Sequence, residues 1–291
     1  MKLRNLVIAV LFGLSALLAC RPVEAQALSP RDVFVDCEDV CPQMVVIPAG
    51  DHLYGPTTNT DGSFRRRSPV TFDHQFAIGR FELTFEEWDA CVADGGCSAG
   101  AAAQTGPAFD RCRESGKCSS NPGALAGLVA FDEGWGRGRR PLINVSPSDI
   151  GLYLEWLSAR TGRTYRLLTA AEWAYASGGL EPLAGPMERI STQANIDQVV
   201  GRTLPVGAYA PNQFGLYDMI GNVIERVVGC GNGDEAPSSG SGIDAAFCPL
   251  RLVVGGSWRD SPEDIVPLYN RAWRSGTVRN WYEGFRVARD L

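Results

Sequence analysis

The 291-residue chain has 27 Lys and Arg against 33 Asp and Glu, a formal net charge of −6, and 45% of its residues are hydrophobic. That apolar fraction excludes a disordered chain and suffices for the core of one large domain, or of two at most. The acidic balance argues against a nucleic-acid-binding protein, because phosphate contacts need clustered basic residues.

The first 27 residues have the pattern of a secretory signal peptide. Two basic residues precede the apolar run 6–19, and small residues follow it. We expect cleavage after Ala25 or Ala27, or a lipoprotein leader that ends at a lipidated Cys20. Either outcome predicts an extracytoplasmic protein, periplasmic or secreted, that meets a membrane only through a lipid anchor. No later run is long enough to cross a bilayer.

Eight further cysteines fall into four pairs that are close in sequence. In an exported chain such pairs predict four disulfides, each contributing about 2–3 kcal/mol in the chain-entropy picture. Zinc is the weaker alternative, because no histidine lies near any pair. The pairs are Cys37 with Cys41, Cys91 with Cys97, Cys112 with Cys118, and Cys230 with Cys248.

Residues 28–43 are predicted to form an N-terminal tether, and one domain is predicted for residues 44–291. The domain is expected to begin with an apolar strand at 44–48, and two further extended segments follow at 70–76 and 77–83.

A long insertion is predicted at residues 98–133, which are rich in Ala, Gly and Ser and lack periodicity. Such a segment serves as a functional lid in some proteins and is neutral in others. The sequence leaves both interpretations open.

Three helices are expected, and each begins at a residue whose side chain can cap the first turn. Thr84 and Thr169 are each followed three residues later by Glu, which is the capping-box pattern. Ser146 is followed by Pro147 at the first helical position. After the last of these helices, we expect mostly irregular structure, with short strands near 204–209 and 250–255.

The segment from Phe214 to Glu225 alternates glycines with large apolar residues and isolated polar side chains. It follows neither the period of a strand nor that of a helix. Asp218, Asn222 and Glu225 supply oxygen atoms of the kind that Ca²⁺ takes from a loop. The alternative is a turn whose polar side chains only satisfy backbone groups.

Together with residues 166–176, 255–258 and 283–289, this segment resembles the signature of the sulfatase-modifying-factor family. The founding members of that family are formylglycine-generating enzymes. The resemblance extends from about residue 44 to the C-terminus. It implies an α+β, loop-rich, formylglycine-generating-enzyme-type variant of the C-type-lectin-like fold.

The resemblance also implies bound calcium. One site would be formed by the side chains of Asp218 and Glu225 and by the backbone carbonyls of Gly221 and Val223. A weaker second site would begin at Asn195 and Ile196, although the loop that supplies its other ligands in the family is shortened in this chain.

Neither copper nor iron is expected. Formylglycine-generating enzymes hold copper with two cysteines just after the Gly-Gly-Ser motif, and the matching positions here are Asp260 and Ile265. The iron branch, similar to ergothioneine-type sulfoxide synthases, uses histidines. This chain has two, His52 and His74.

Aromatic, basic and polar residues lie along the part of the chain that forms the family's active groove. Such a surface suits recognition of a peptide or a small molecule. The alternative is that the tryptophans are core residues and that arginines such as Arg286 are internal struts. The candidates are Trp258, Arg259, Asp260, Tyr269, Asn270, Arg271, Trp273, Arg274, Trp281 and Tyr282.

Three functions follow from the resemblance. The first is an exported domain without the copper oxidase site that binds a peptide, glycan or protein partner in the groove. The second is a periplasmic enzyme of different mechanism, resembling the pyoverdine-maturation branch of the family. The third is a true formylglycine-generating oxidase, against which Asp260 argues. The sequence decides neither whether the protein is an enzyme nor its oligomeric state.

Overall fold

The computed structural model of the protein describes residues 28–54, 68–98, 129–178, 192–230, 250–265, 272–275 and 279–291. The strands in these ranges are β1 (Val33–Phe34), β2 (Met44–Ile47), β3 (Gly50–Tyr54), β4 (Ser68–Phe72), β5 (Phe76–Gly79), β6 (Tyr165–Leu167), β7 (Ile224–Cys230), β8 (Leu250–Val254), β9 (Ala272–Ser275), β10 (Glu283–Gly284) and β11 (Val287–Asp290). The helices are α1 (Phe85–Ala93), α2 (Pro147–Thr161), α3 (Ala170–Ala176) and α4 (Pro262–Ile265).

The strands form three sheets. The largest has the order β1-β2-β5-β11-β6 and is antiparallel throughout. The second has the order β10-β7-β8-β9, and its β10–β7 pair is parallel. Strands β3 and β4 form a separate antiparallel pair. Because β11 lies between β5 and β6, the end of the described chain completes the central sheet.

The inner strands β2 and β5 are buried on both faces of the central sheet, which explains why all their residues are apolar or glycine. Met44 and Val287 pack into one core cluster, which also contains the apolar faces of α1 and α2. The neighbouring residues Val45 and Ala288 point the other way, into a second cluster with α3, β7 and β8. Strand alternation therefore places two cores on opposite sides of one sheet.

All three predicted helix starts are confirmed. Thr84 Oγ1 accepts a hydrogen bond from Glu87 N, and the Glu87 carboxylate accepts one from Thr84 N at 2.7 Å. Ser146 with Asp149, and Thr169 with Glu172, make the same reciprocal pair. These contacts satisfy backbone donors that a helix start otherwise leaves free.

Two expectations about local structure are corrected. Residues 204–209 form a turn and irregular backbone rather than a strand. Their backbone N–H groups donate to side chains instead of to a neighbouring strand: Leu204 N donates to Asn222 Oδ1, and Gly207 N donates to Asp218 Oδ2. Residues 28–43 are also more than a tether. They contribute β1 to the central sheet, and Asp36 accepts a hydrogen bond from Tyr165 OH at 2.5 Å.

Two of the four predicted disulfides are confirmed, Cys37–Cys41 and Cys91–Cys97, each with a Cα–Cα distance of 5.3 Å. Cys112, Cys118 and Cys248 lie outside the described residues, as does the side chain of Cys230. The leader at residues 1–27 and positions 99–128 of the predicted insertion lie outside them too.

The last residues of the predicted insertion belong to the domain core, since Ala130 and Phe131 are 0% and 2% exposed. Among the helices that the structure describes, none combines the length and apolarity needed to span a bilayer.

Candidate functional site

A buried ion pair joins the signature segments of the chain. Glu225, at the start of β7, and Arg286, just before β11, are 1% and 0% exposed. Arg286 donates to Glu225 through Nε and Nη2, at distances down to 2.6 Å. Trp173 Nε1, from α3, donates to Glu225 Oε2 at 3.0 Å. The interpretation of Arg286 as an internal strut is therefore correct.

Arg286 also ties this pair to the central sheet. Its Nη1 donates to the carbonyl of Gly79 at 3.1 Å, and its Nη2 donates to that of Tyr217 at 2.9 Å. Burial lowers the pKa of Arg286, but the Glu225 carboxylate, together with Glu82 and Asp218, outweighs that effect and the net pKa is raised. The guanidinium therefore stays charged inside the protein.

A second carboxylate, Glu82, is the third charged member of the buried cluster. It accepts hydrogen bonds from Val223 N at 2.9 Å and from Asn222 Nδ2 at 2.6 Å. Burial raises the pKa of Glu82 well above its ordinary value, and the nearby carboxylates of Asp218 and Glu225 raise it further. We did not single out Glu82 from the sequence. Its only signal is a carboxylate between two apolar residues.

Asp218 is the fourth charged member of the cluster. Its backbone has φ +53°, which is uncommon for a non-glycine residue, and its Oδ2 accepts from Gly207 N at 2.7 Å. Burial raises the pKa of Asp218, with a smaller contribution from Glu225, while Arg286 acts in the opposite direction. Three carboxylates thus surround one guanidinium, so the cluster would carry excess negative charge if all three were ionised, and the raised pKa values of Glu82 and Asp218 reflect that cost.

This excess fits the donor set of the predicted calcium site, because a hard divalent cation favours carboxylate and carbonyl oxygens. Within the described ranges, no three His, Cys, Asp or Glu side chains form a metal-holding group. The predicted site therefore depends on the carbonyls of Gly221 and Val223 in addition to Asp218 and Glu225. Because Glu225 also binds Arg286, the cation would share that carboxylate with a guanidinium. Calcium at this position stays a prediction.

The second predicted calcium position has one unsatisfied oxygen. Asn195 Nδ2 donates to Asn222 Oδ1 at 3.1 Å and to the carbonyl of Arg202 at 3.0 Å. Asn195 Oδ1 is buried and has no hydrogen-bond partner in the described part of the chain. A cation ligand would have this character. The neighbouring Ile196 is fully buried, and this site too stays a prediction.

The Gly-Gly-Ser segment ends in a local turn. Ser257 N and Ser257 Oγ both donate to Asp260 Oδ2, each at 2.7 Å. Ile265 is 1% exposed and lies so close to Gly256 that a Cβ there would be 2.7 Å from Ile265 Cγ1. The positions matching the family's cysteine pair therefore hold a carboxylate engaged in a turn and a buried aliphatic side chain.

Four aromatic side chains and one arginine form what we call the aromatic patch: Trp135, Trp258, Trp281, Tyr282 and Arg259. Ring centroids are 5.1 Å apart for Trp258 and Trp281, and 5.7 Å apart for Trp135 and Trp258. The exposed Arg259 guanidinium lies 4.7 Å from the Trp281 centroid and 4.8 Å from that of Tyr282. The structure thus brings together four of the predicted groove residues.

Of these four, Trp258 is 5% exposed, so it is largely a core residue, as the alternative held. Tyr269, Asn270 and Arg271 lie outside the described residues. Trp273 and Arg274 lie in β9, and only their backbone is described.

Trp135 is a patch residue that we did not predict. It lies in the loop 130–138, two residues beyond the predicted insertion at 98–133. The signal in the sequence was a tryptophan between Gly134 and Gly136, both of which have positive φ. This glycine-rich backbone can turn sharply enough to place the indole against Trp258 and Trp281.

Glu133, in the same loop, is a second residue that sequence reasoning missed. Its carboxyl is 5% exposed, and Oε1 accepts from Asn144 Nδ2 at 2.8 Å. Asn144 N in turn donates to the carbonyl of Asn280, next to Trp281. Burial raises the pKa of Glu133 to about 7. A carboxyl with this pKa changes its protonation near neutral pH, and Glu133 is two residues before Trp135 in the chain.

Comparisons with known proteins agree with this architecture. PvdO from Pseudomonas aeruginosa is 33% identical, superimposes with a TM-score of 0.71, and is matched over 91% of this chain and 100% of its own. Serine/threonine-protein kinase pkn1 of Chlamydia pneumoniae is 30% identical over 173 residues, which are 57% of this chain and 26% of that protein. Hercynine oxygenase of Mycobacterium tuberculosis is 26% identical over 245 residues, 74% of this chain and 53% of that protein.

The chain spans about a quarter to a half of the length of these two curated relatives. The predicted α+β, loop-rich fold of the formylglycine-generating-enzyme type is confirmed. Residues 30–291 match the sulfatase-modifying factor enzyme 1-like domain along their whole length, and the chain therefore belongs to that family.

Proposed function

We propose that this protein is an exported member of the family that lacks the copper-dependent oxidase site and binds a peptide, glycan or protein partner in its groove. The aromatic patch carries this proposal. Trp, Tyr and Arg dominate the binding free energy of protein interfaces, and here Trp135, Trp281 and Tyr282 are only partly buried around the exposed Arg259.

The absence of the oxidase site is supported by ligand chemistry at two positions. Soft thiolates are the ligands that suit Cu(I), whereas Asp260 offers hard carboxylate oxygen and Ile265 offers no donor atom. Asp260 is also engaged with Ser257, and Ile265 is buried.

The proposed calcium has a structural role, because its ligands lie in the buried cluster rather than in the patch. The cation would neutralise charge that Arg286 alone does not balance, around Asp218, Glu82 and Glu225.

Export is supported by the two disulfides, because such bonds persist in oxidising compartments. Alkylation of the non-reduced mature protein should label no cysteine other than Cys20. Labelling of two or more of the remaining eight would argue against export.

A second candidate function is an enzyme of different mechanism. It is favoured by Glu133, a carboxyl with a pKa of about 7 that lies two residues from Trp135. General acids and bases commonly have pKa values near the working pH. This candidate uses the same groove and differs in what happens to the bound molecule.

Two experiments test the proposed function. A random peptide library displayed on phage is panned on the wild-type protein and on a Trp281→Ala variant whose thermal melt shows that it is folded. Enrichment of peptides on the wild type alone is expected. Absence of any enrichment contradicts binding of a peptide in the patch.

The second experiment incubates the protein with copper, reductant and a Cys-x-Pro-x-Arg peptide in air, followed by mass spectrometry. We expect no aldehyde above a control without protein. Turnover would show that the protein is an oxidase after all.

A further inference from the structure

We propose that the aromatic patch recognises an acidic side chain of an extended peptide, with Arg259 binding the carboxylate beside an apolar or aromatic residue of the same peptide. This inference rests on the proposed binding function and names the chemistry of the partner.

The first observation is the state of Arg259. The side chain is exposed, and within the described residues it has no carboxylate partner, although the whole chain has a net charge of −6. Arg226, Arg286 and Arg289, by contrast, are each paired with a carboxylate. An unpaired guanidinium amid aromatic rings is complementary to an anionic group that carries an apolar neighbour.

The second observation is how Arg259 is held. Its guanidinium packs against both Trp281 and Tyr282, at 4.7 and 4.8 Å from the ring centroids. These two contacts restrict the position of the guanidinium before any ligand arrives, so less conformational entropy is lost on binding. A planar guanidinium held in this way is suited to a bidentate pair with a carboxylate.

The third observation is an unsatisfied donor in the same patch. Trp258 Nε1 is buried, and no acceptor for it lies in the described part of the chain. An N–H without an acceptor is costly, and Trp258 is in ring contact with Trp281. Both Arg259 and the indole N–H can only donate, so the patch holds an excess of donors. Because the indole N–H is itself inaccessible, Arg259 is the group that an acceptor oxygen of a ligand would contact.

The arrangement of the rings favours a peptide over a glycan. Arg259 covers faces of Trp281 and Tyr282, and Trp258 is 5% exposed. Trp135 meets Trp258 at 88° and Trp281 at 69°, so the rings do not form one flat platform. Partly buried rings at steep angles beside an exposed guanidinium suit a carboxylate and an apolar side chain better than the flat face of a sugar ring.

The test measures binding of two tripeptides to the full mature protein by isothermal titration calorimetry. The probes are acetyl-Asp-Pro-Phe-amide and acetyl-Asn-Pro-Phe-amide, which differ only in charge. We expect the Asp peptide to bind about tenfold or more tightly, as one charge-assisted hydrogen-bonded pair would give. Added salt should reduce that preference, because exposed charges are screened.

Two arginine variants make the assignment specific. Arg259→Gln should bind both peptides with the same weak affinity, whereas Arg163→Gln should retain the preference for Asp. Arg163 is exposed and has no carboxylate partner among the described residues, so it is a matched control. Equal binding of the two peptides to the wild type, or a preference that survives Arg259→Gln, would overturn the inference.

The remaining outcomes separate this inference from the proposed function. A sulfated disaccharide that binds through Arg259 while neither tripeptide binds would assign the patch to glycans and reject the peptide. Enrichment in phage panning with no acidic bias and no effect of Arg259→Gln would retain the binding function and reject the role of Arg259. Absence of any enrichment would reject peptide binding itself.

Discussion

Removal of the Arg286 guanidinium should destabilise the protein more than removal of any exposed arginine. Arg286→Met keeps much of the side-chain volume but leaves Glu225 as an unpaired charge that is 1% exposed. It also removes the donors to the carbonyls of Gly79 and Tyr217. Breaking a buried pair in this way costs about 3–5 kcal/mol. For a domain of this size, that corresponds to a fall in Tm of roughly 6–20 °C.

The assay is urea unfolding followed by tryptophan fluorescence, with Arg160→Met as the control. Arg160 pairs with Asp94 on the surface, where the two side chains are 36% and 43% exposed. Loss of such a pair costs about 0–1 kcal/mol. A double variant, Arg286→Met with Glu225→Gln, should recover part of the lost stability, because it removes the stranded charge.

If Arg286→Met costs no more than Arg160→Met, the buried pair does not support the fold as argued. If the double variant is less stable than the single one, the loss is not due to the unpaired Glu225 charge.

Three further predictions concern the cation, the backbone and pH. EDTA should lower the Tm of the wild type, because a cation that binds only the folded state stabilises that state. Asp218→Asn should weaken the response to EDTA. An unchanged melting curve on chelation would reject bound calcium. Gly221→Ala should lower the free energy of unfolding by at least about 2 kcal/mol, because the new Cβ would lie 2.4 Å from the backbone oxygen of Asn195. Gly95 has a similar φ but open space around it, so Gly95→Ala should cost only about 1–2 kcal/mol. Equal losses of stability in urea unfolding would contradict the steric argument. Glu133 holds its proton to a pH of about 7 in the folded protein but loses it near pH 4.3 in the unfolded chain, so its contribution to folding stability is complete at low pH and is lost as the pH rises towards 7. Glu133→Gln should therefore reduce the loss of stability between pH 5 and pH 7.5. An unchanged loss would show that Glu133 is not the group that titrates.

Features that depend on nearby residues could be predicted from the sequence. The helix starts at Thr84 and Thr169 are set by contacts between residues three apart. The Cys91–Cys97 disulfide closes a separation of six residues. Such contacts form within one or two turns of chain, so residue type and spacing specify them almost completely. The overall fold type was predicted differently, from the resemblance of the signature segments to a known family.

The candidate site depended on contacts that no local pattern reveals. Glu82 reaches Val223 across 141 residues, and Arg286 reaches Glu225 across 61. Trp135, just beyond the predicted insertion at 98–133, received no role from the sequence, although its ring packs against Trp258.

The sequence by itself therefore determined the family, the capped helices and the local disulfides. Only the tertiary structure decided which charges share the interior and which aromatic side chains meet Arg259. The physical reason is that these partners come from separate elements: Glu225 lies in β7 of the second sheet, Arg286 lies next to β11 of the central sheet, and the patch residues come from three separate loops. A burial-driven arrangement of that kind has no counterpart in the spacing of residues along the chain.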